Sequence, residues 1–347
     1  MDVLKQLVKR AAITGGLELS VLLSRAGLMG EARGLGAIFT LHHVRQHKPR
    51  HIEPNRHLEI TPEFLEAAIV RLKQDGYRFV ALQDVPRLLS EGHRSGPFAA
   101  FTLDDGYRDN RDFALPVFER HAVPFTIFVC KGFSERRHSL WWETADALAN
   151  GEQPLEIELA GVRRRLAVGT DRERLALFDA ACDLVCCGDE TDAIRRLDDA
   201  ALRAGFDPRS IPEAEVMSAD ELRALSAHPL VSLGAHTISH RALARLDAGV
   251  LAEEISQSVD YVEAITGKRP NSFAYPYGDC RSVSRDTVAA VARAGLPVAV
   301  TTRPGTLSMK HAGQLLELPR ISLNGFYQKA RYVSALASGI PFRLKRG

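Results

Sequence analysis

The chain has 347 residues, 45% hydrophobic and 25% charged, which excludes a low-complexity polymer and fits a globular protein with a sizeable core. A formal net charge of +2, with only short basic clusters, gives no support for a nucleic-acid-binding surface. The five cysteines are an odd number, with three of them at 182–187, which favours a reducing compartment over a disulfide framework.

The N-terminal segment begins MDVLKQLVKR, which predicts a basic and moderately amphipathic helix. The apolar run at 11–23 is interrupted by Gly15, Gly16 and Glu18, so it makes a poor signal peptide and is too short and polar to span a membrane. Simple packing on the domain and peripheral membrane contact through this helix both stay open. We therefore expect a cytoplasmic protein, with the inner membrane face as the alternative location.

Short apolar runs alternate with helical periods along the chain. Strands are predicted at 37–43, 77–81, 99–103, 125–129, 230–234, 272–275 and 298–301, and helices after Thr61-Pro62 and at 110–121, 250–266 and 284–294. In the helix at 110–121, the pattern places Phe113, Val117 and Phe118 on the buried face. Repeated β-then-α units predict an α/β protein with parallel strands and outer helices, as an open sheet or a barrel.

The interval 134–215 breaks this alternation. It contains Trp141-Trp142-Glu143 and reads mostly as helix, while alternation at 155–166 predicts a small hairpin. No Pro/Ser/Gly-rich linker flanks it, which indicates an insertion in the barrel and not a separate domain. The predicted organisation is an N-terminal helical extension (1–36), a barrel (37–330) carrying the insertion, and a basic C-terminal tail (331–347).

Two adjacent carboxylates, Asp104 and Asp105, follow a predicted strand directly and precede Gly106. Neighbouring strand residues point to opposite faces, so only one of two such carboxylates would normally enter a site. A strand end followed by glycine lets the backbone turn, so that both can face one site with different tasks. An exposed Asp-Gly turn is the alternative.

A histidine pair, His236 and His240, follows another predicted strand end. Residues four apart lie on one face of a helical turn, so both rings can reach one metal ion. One carboxylate and two histidines make an open three-ligand site for Zn2+ or another divalent ion such as Co2+, Ni2+ or Mn2+. Surface or core histidines are the alternative. A second carboxylate beside such a site could act as general base in hydrolysing an amide or ester.

Three further strand ends carry polar or aromatic groups. The segment Phe273–Gly278 could form a groove wall and offer a backbone N–H to an oxyanion, with Tyr275, Pro276 and Tyr277 as substrate contacts. One of His42 and His43 could face the site as general acid. Arg320 could hold a catalytic carboxylate ionised by charge-assisted hydrogen bonds.

The motifs TLDDGY, HTISH and FAYPYG, in this order, resemble those of the NodB-homology polysaccharide deacetylases, carbohydrate esterase family 4. The resemblance covers roughly 37–130 and 216–323 and implies a distorted (β/α) barrel. It implies that Asp104 is the base and that Asp105, His236 and His240 bind the metal. It also implies that the backbone N–H of Tyr277 helps to bind the oxyanion.

Three features depart from the family pattern. Phe273 stands where the third motif usually begins with arginine, and Arg320 in Leu-Pro-Arg is its expected replacement, as in enzymes similar to biofilm poly-N-acetylglucosamine deacetylases. The late L-x-H motif is absent, and the early Leu41-His-His-Val44 places His42 at the acid position, with His43 as the alternative. The insertion is expected to shape the substrate cleft, with Trp142 among the substrate contacts.

These features predict a metal-dependent hydrolase that removes N-acetyl groups from N-acetylated amino sugars of an oligo- or polysaccharide. A hydrolase of a non-sugar linear or cyclic amide is the first alternative. A catalytically silent glycan-binding protein is the second, and the intact set of acidic residues and histidines argues against it.

Overall fold

A computed structural model describes residues 3–344, with side chains apart from those of 3–7 and 95. The basic pair Lys345-Arg346 of the predicted tail lies outside the described residues. In chain order the strands are β1 (Gly36–Leu41), β2 (His43–Val44), β3 (Glu59–Ile60), β4 (Arg78–Phe79), β5 (Phe98–Leu103), β6 (Phe125–Val129), β7 (Leu155–Leu159), β8 (Val162–Leu166), β9 (Val231–Ala235), β10 (Ser272–Ala274), β11 (Val298–Pro304) and β12 (Leu318–Ser322).

The helices lie between and around these strands. They are α1 (Val3–Arg25), α2 (Pro62–Gln74), α3 (Val85–Glu91), α4 (Leu115–His121), α5 (Lys131–Ser134), α6 (Trp141–Asn150), α7 (Asp171–Cys187), α8 (Glu190–Arg203), α9 (Ser210–Glu215), α10 (Ala219–Ser226), α11 (Ala248–Thr266), α12 (Arg285–Arg293), α13 (Ala330–Ala337) and α14 (Ile340–Leu344).

Seven parallel strands close into a barrel in the order β1-β12-β11-β10-β9-β6-β5, and β5 pairs back to β1. The short β4 pairs with the first residues of β5, while β6 pairs with its later residues. β1, β5 and β6 are buried along their whole length, as expected when helices cover a parallel sheet. The predicted α/β barrel is confirmed, and the pairing of β5 with β1 decides against an open sheet.

Two local predictions need correction. The strand predicted at 37–43 ends at Leu41, and His43–Val44 forms a separate strand that pairs with β3. The helix predicted at 110–121 begins with a π-helical turn at Asn110–Ala114. A wider turn shifts the buried face, so that Asn110 and Ala114 point inward while Phe113 is 44% exposed.

The insertion covers one end of the barrel. The predicted small hairpin is formed by β7 and β8, which pair antiparallel with Leu155 opposite Leu166. Its helices share an apolar cluster with Tyr107 and Phe133, which lie after β5 and β6. The insertion is therefore packed onto the loops that follow the barrel strands.

Helix α1, near the N-terminus, packs against α13, near the C-terminus. Leu17 and Val21 of α1 share a cluster with Tyr332, and Glu18 accepts hydrogen bonds from Tyr332 Oη and Arg331. The three-part division predicted from the sequence stays a prediction. Within residues 3–344, no helix combines the length and the apolar character that crossing a bilayer requires.

Candidate active site and metal centre

Polar side chains meet where the barrel strands end. Asp104 and Asp105 follow β5, His236 follows β9, and Tyr277 lies three residues beyond β10. Arg320 projects from β12 and is fully buried. Carboxyl ends of parallel strands lie on one side of a barrel, so residues far apart in sequence are brought to one site.

The backbone at Asp105 turns both carboxylates into this site. β5 alternates between the barrel interior and the outer helices, so Asp105 would point away from Asp104 if the strand continued. Instead Asp105 has φ 72° and Gly106 also has φ 72°. The left-handed conformation is unusual for a residue with a side chain, although aspartate tolerates it better than most. The turn therefore depends on both residues and not on the glycine alone.

Asp105, His236 and His240 form a compact and buried triad. The Nε2 atoms of His236 and His240 lie 3.6 and 3.5 Å from Asp105 Oδ1. Their ligand atoms all lie within 4.8 Å of one another, a group that could hold a metal ion. Both Asp105 oxygens are buried and have no hydrogen-bond partner among the described residues. A carboxylate with two histidines fits a divalent cation, because the cation would satisfy these oxygens.

The pKa of Asp105 also favours a cation bound at this triad. Burial, followed by the nearby charge of Asp104, raises its pKa well above the usual value for a carboxyl group. A dication beside Asp105 would oppose both effects.

The two histidines converge through a bent loop. The helical turn predicted for 236–240 is wrong: the segment contains no helix, and Thr237 and His240 have φ 66° and 57°. Thr237 Oγ1 accepts a hydrogen bond from the backbone N–H of His240. The carboxylate of Glu254 accepts from the N–H groups of Ile238 and Ser239 at 2.8 and 3.0 Å. These bonds stabilise a turn that brings both rings to Asp105.

A hydrogen bond on the side of the ring away from the triad fixes the orientation of His236. Its Nδ1 lies 2.7 Å from the carbonyl oxygen of Ala274 and donates to it, which leaves Nε2 for the triad. A backbone carbonyl in this position sets the tautomer that a metal ligand needs.

Asp104 is held by Arg320 in a two-pronged ion pair. Arg320 donates to the two carboxylate oxygens of Asp104 at 2.7 and 2.6 Å, and also to Thr301 O and Thr102 Oγ1. Burial acts to raise the pKa of Asp104, but the guanidinium outweighs it and holds that pKa well below its usual range. Arg320 thus makes the contact with the carboxylate that the sequence predicted.

The adjacent histidines His42 and His43 lie in different environments. His42 is partly exposed, and its Nε2 lies 4.0 Å from Asp104 Oδ2. Burial lowers the pKa of His42 to about 4. His43 is fully buried, with Nδ1 2.6 Å from Asp109 Oδ2 and its ring 3.6 Å from that of Tyr107. Of the two candidates left open by the sequence, only His42 has a side chain that is exposed at the site.

The residues of the third motif, Phe273–Gly278, also lie in different environments. Tyr275 is 1% exposed, and its hydroxyl donates to Leu316 O in the turn before β12. Pro276 is also buried, and the predicted contact of these two residues with substrate stays a prediction. Tyr277 has φ 59°, its ring centroid lies 5.1 Å from that of His240, and within residues 3–344 no acceptor binds its backbone N–H.

Trp142 packs on the triad from the insertion. Its ring lies 4.8 Å from that of His240 and only 8% of its surface is exposed. It therefore forms part of the wall behind His240. Two insertion residues that the sequence did not predict as site residues, Trp141 and Glu190, bind the hydroxyl of Tyr277. No motif marks them, since the contact joins positions far apart in sequence.

The solved structures with this fold include several deacetylases. The deacetylase PplD of Streptococcus pyogenes, in complex with acetate, has a TM-score of 0.54 and 18% identity, covering 83% of this chain and 92% of that chain. A polysaccharide deacetylase from Bacillus cereus has a TM-score of 0.53 and 17% identity, covering 88% and 68%. IcaB from Ammonifex degensii has a TM-score of 0.51 and 16% identity, covering 86% and 97%. Identities this low establish the fold alone.

Sequence comparison adds a family match over part of the chain. None of the curated proteins that were compared matches the chain. Residues 197–299 match the polysaccharide deacetylase family, and this range includes His236, His240 and Tyr277. Over this range the chain resembles the polysaccharide deacetylases, hydrolases that act on C–N bonds outside peptides, and its barrel has the architecture of the solved deacetylases.

Proposed function

We propose that the protein is a metal-dependent N-deacetylase that acts on N-acetylated amino sugars of an oligo- or polysaccharide. The observation that carries this proposal is the buried triad of Asp105, His236 and His240 beside the ion pair of Asp104 with Arg320. One carboxylate is free to bind a cation, and the other is held ionised to accept a proton.

Asp105 Oδ1 and the Nε2 atoms of His236 and His240 would hold the cation. Two imidazoles and one carboxylate suit Zn2+, with Co2+, Ni2+ or Mn2+ as other ions that accept this set. A divalent ion bound there supplies Lewis acidity, which polarises water and the acetyl carbonyl.

Asp104 serves as the base. Its carboxylate stays ionised because Arg320 stabilises the charge, and it is placed to take a proton from water beside the triad. The unpaired N–H of Tyr277 can donate to the oxygen that becomes negative when the carbonyl is attacked.

His42 serves as the acid toward the departing amine. Its low pKa makes the ring neutral at neutral pH, so it must receive a proton before it can donate one. Asp104 Oδ2, 4.0 Å from His42 Nε2, is the nearby carrier of the proton taken from water. Asp104 passes this proton to His42, and His42 passes it to the departing amine. The proton lost by water is thus the one gained by the amine.

Paired substitutions test this assignment. Asp104→Asn keeps the shape of the site but removes the base, so deacetylation should fall by at least about 10²-fold while metal content is retained. His240→Ala removes one of the three ligands and should lower metal affinity by about 10-fold or more. Metal content and acetate release are measured on the same samples.

The substrate class is tested with the wild-type protein. We expect acetate release from N-acetylglucosamine oligosaccharides and none from small linear or cyclic non-sugar amides. Hydrolysis of the non-sugar amides alone would move the assignment to the first alternative. Stoichiometric metal with no hydrolysis of any of them, or full activity of both variants, would overturn it.

A further inference from the structure

The hydroxyl of Tyr277 is tied to the insertion by two hydrogen bonds. It donates to Glu190 Oε1 at 2.6 Å and accepts from Trp141 Nε1 at 2.8 Å. Glu190 is the first residue of α8 and Trp141 the first of α6, whereas Tyr277 belongs to the loop after β10. The contact therefore joins the insertion to the barrel next to the triad.

The backbone of Tyr277 needs such support. A tyrosine at φ 59° is in a sparsely populated backbone conformation that persists only where its surroundings fix it. From the barrel side, Thr302 Oγ1 donates to Tyr277 O at 2.5 Å and Thr302 N donates to Gly278 O at 3.0 Å. The hydrogen bonds of the Tyr277 hydroxyl with Glu190 and Trp141 hold its side chain.

Glu190 also accepts a hydrogen bond from the loop that carries His240. Its second oxygen, Oε2, accepts from the backbone N–H of Ala242 at 2.9 Å. Ala242 lies two residues beyond His240, and Glu190 is only 7% exposed. One buried carboxylate thus joins the loop that carries His240 to the residue that presents the unpaired N–H.

We propose that Glu190 and Trp141 are positioning residues, which direct the backbone N–H of Tyr277 toward the reacting carbonyl through its hydroxyl. This inference rests on the role of the Tyr277 N–H in the proposed deacetylation. The insertion would then contribute to the rate of the reaction as well as covering the cleft. A displacement of about 1 Å in such a group can cost on the order of 10²-fold in rate.

Tyr277→Phe is the sharpest variant, because it keeps the ring and the backbone N–H and removes only the hydroxyl. We expect kcat to fall about 10- to 100-fold with KM and metal content unchanged. Glu190→Gln should give a smaller loss of the same kind. The double variant should be no worse than Tyr277→Phe, because both changes break the same hydrogen bond.

Thr191→Ala is the matched control. Thr191 is the next residue on α8 and accepts a hydrogen bond from Arg241, but it does not touch Tyr277. Its kcat should equal that of the wild type. Full kcat in Tyr277→Phe, or losses that add in the double variant, would overturn the proposal.

A second readout does not depend on turnover. With 15N-labelled tyrosine, the amide resonance of Tyr277 should move in Glu190→Gln and stay in place in Thr191→Ala. An unmoved resonance in Glu190→Gln contradicts the positioning role. A moved resonance in a protein that releases no acetate contradicts the proposed function and leaves the contact established.

A separate observation concerns α1, which has two opposite apolar faces. One face, with Leu17 and Val21, packs on α13. The other, the outer stripe, is exposed throughout and consists of Val8, Ala12, Gly15, Leu19 and Leu22 on α1, with Ala26 directly after the helix end. Val8, Leu19 and Leu22 are 61, 47 and 63% exposed. A side chain at Gly15 would meet no atom within 4 Å, so nothing described covers this stripe.

The charges near the outer stripe are basic. Lys9 and Arg25 flank the stripe on α1, and both are exposed and form no ion pair among the described residues. Glu18 on α1 is neutralised by Arg331 at 2.6 Å. A second copy of the stripe would bring these cations together, whereas a surface of anionic headgroups would attract them.

We propose that the outer stripe docks the protein on a bilayer that carries anionic lipid. The full chain should co-sediment with vesicles of phosphatidylcholine and phosphatidylglycerol, and far less with phosphatidylcholine alone. The double variant Leu19→Glu, Leu22→Glu should bind at least about 10-fold more weakly. Leu202→Glu, at a leucine 56% exposed on α8, is the matched control and should bind as the wild type.

Three results would overturn this second proposal. They are equal binding by the double variant and the wild type, no binding by the wild type, and a wild-type dimer in solution that the double variant abolishes. The last result would assign the stripe to a second copy of the chain.

Discussion

Replacing Arg320 with methionine is expected to destabilise the protein by about 3–5 kcal/mol and to abolish deacetylation. The side chain is 1% exposed and makes both of its carboxylate contacts with Asp104, which is 2% exposed. Methionine fills similar space but leaves a buried carboxylate without a counter-charge. The pKa of Asp104 would then rise, because burial is the largest influence on it once the guanidinium is gone. Urea unfolding and acetate release measure the two effects.

The control for this prediction is the double variant Arg320→Met, Asp104→Asn. A neutral amide does not need the guanidinium, so the double variant should regain part of the lost stability while staying inactive. Arg320→Lys keeps the charge but cannot form the planar pair, and it should fall between wild type and Arg320→Met in stability. A stable and active Arg320→Met protein would show that the ion pair is not required.

The sequence predicted the site well where residues follow directly from strand ends. Asp104, His236 and Arg320 each belong to or follow an apolar run that forms a barrel strand. Because parallel strands end on one side of the barrel, locating the strands was enough to bring these residues together. The contact of Arg320 with Asp104 joins positions 216 residues apart and still followed from that rule.

The sequence failed where the backbone leaves common conformations. Asp105, Thr237, His240 and Tyr277 all have positive φ, and none is a glycine. Propensity favours a helical turn for a pair of histidines four residues apart, so the bent loop at 236–240 could not be read from the pattern. Such conformations are held by distant partners such as Glu254, which sequence spacing does not reveal.

The sequence was also a poor guide to which residues of a motif or helix are buried. Tyr275 and Tyr277 are two residues apart in an aromatic motif, yet the first lies in the barrel wall and the second beside His240. Phe113 shows the same limit on a helix, where one π turn moved it to solvent. Periodicity predicts a face only while the regular repeat continues.

His43 shows how the buried surroundings of the site carry charge. Its ring lies 2.6 Å from Asp109 Oδ2, 3.6 Å from Glu143 Oε1 and 3.9 Å from Glu215 Oε2. Tyr107 stacks on it, and Arg45 pairs with Glu215 at 3.0 Å. Burial disfavours the charged ring, but Asp109 and Glu143 outweigh it and raise the pKa of His43 to about 10. His43 is therefore a buried cation that joins the barrel to the insertion helix of Glu143.

We expect His43→Gln to lower the free energy of unfolding by about 3–5 kcal/mol near pH 6. The sign follows from linkage: the ring holds its proton in the folded protein up to about pH 10 and in the unfolded chain only to its ordinary value of 6.5. The stabilisation is complete below pH 6.5 and is lost as pH rises through 10. The difference between wild type and His43→Gln should therefore shrink over that window in urea unfolding. His121→Gln, which removes a partly exposed contact with Glu66, should cost at most about 1 kcal/mol. A difference for His43→Gln that stays constant from pH 6 to 10 would show that the ring is neutral in the fold, and Asp109 would then be an ordinary acceptor.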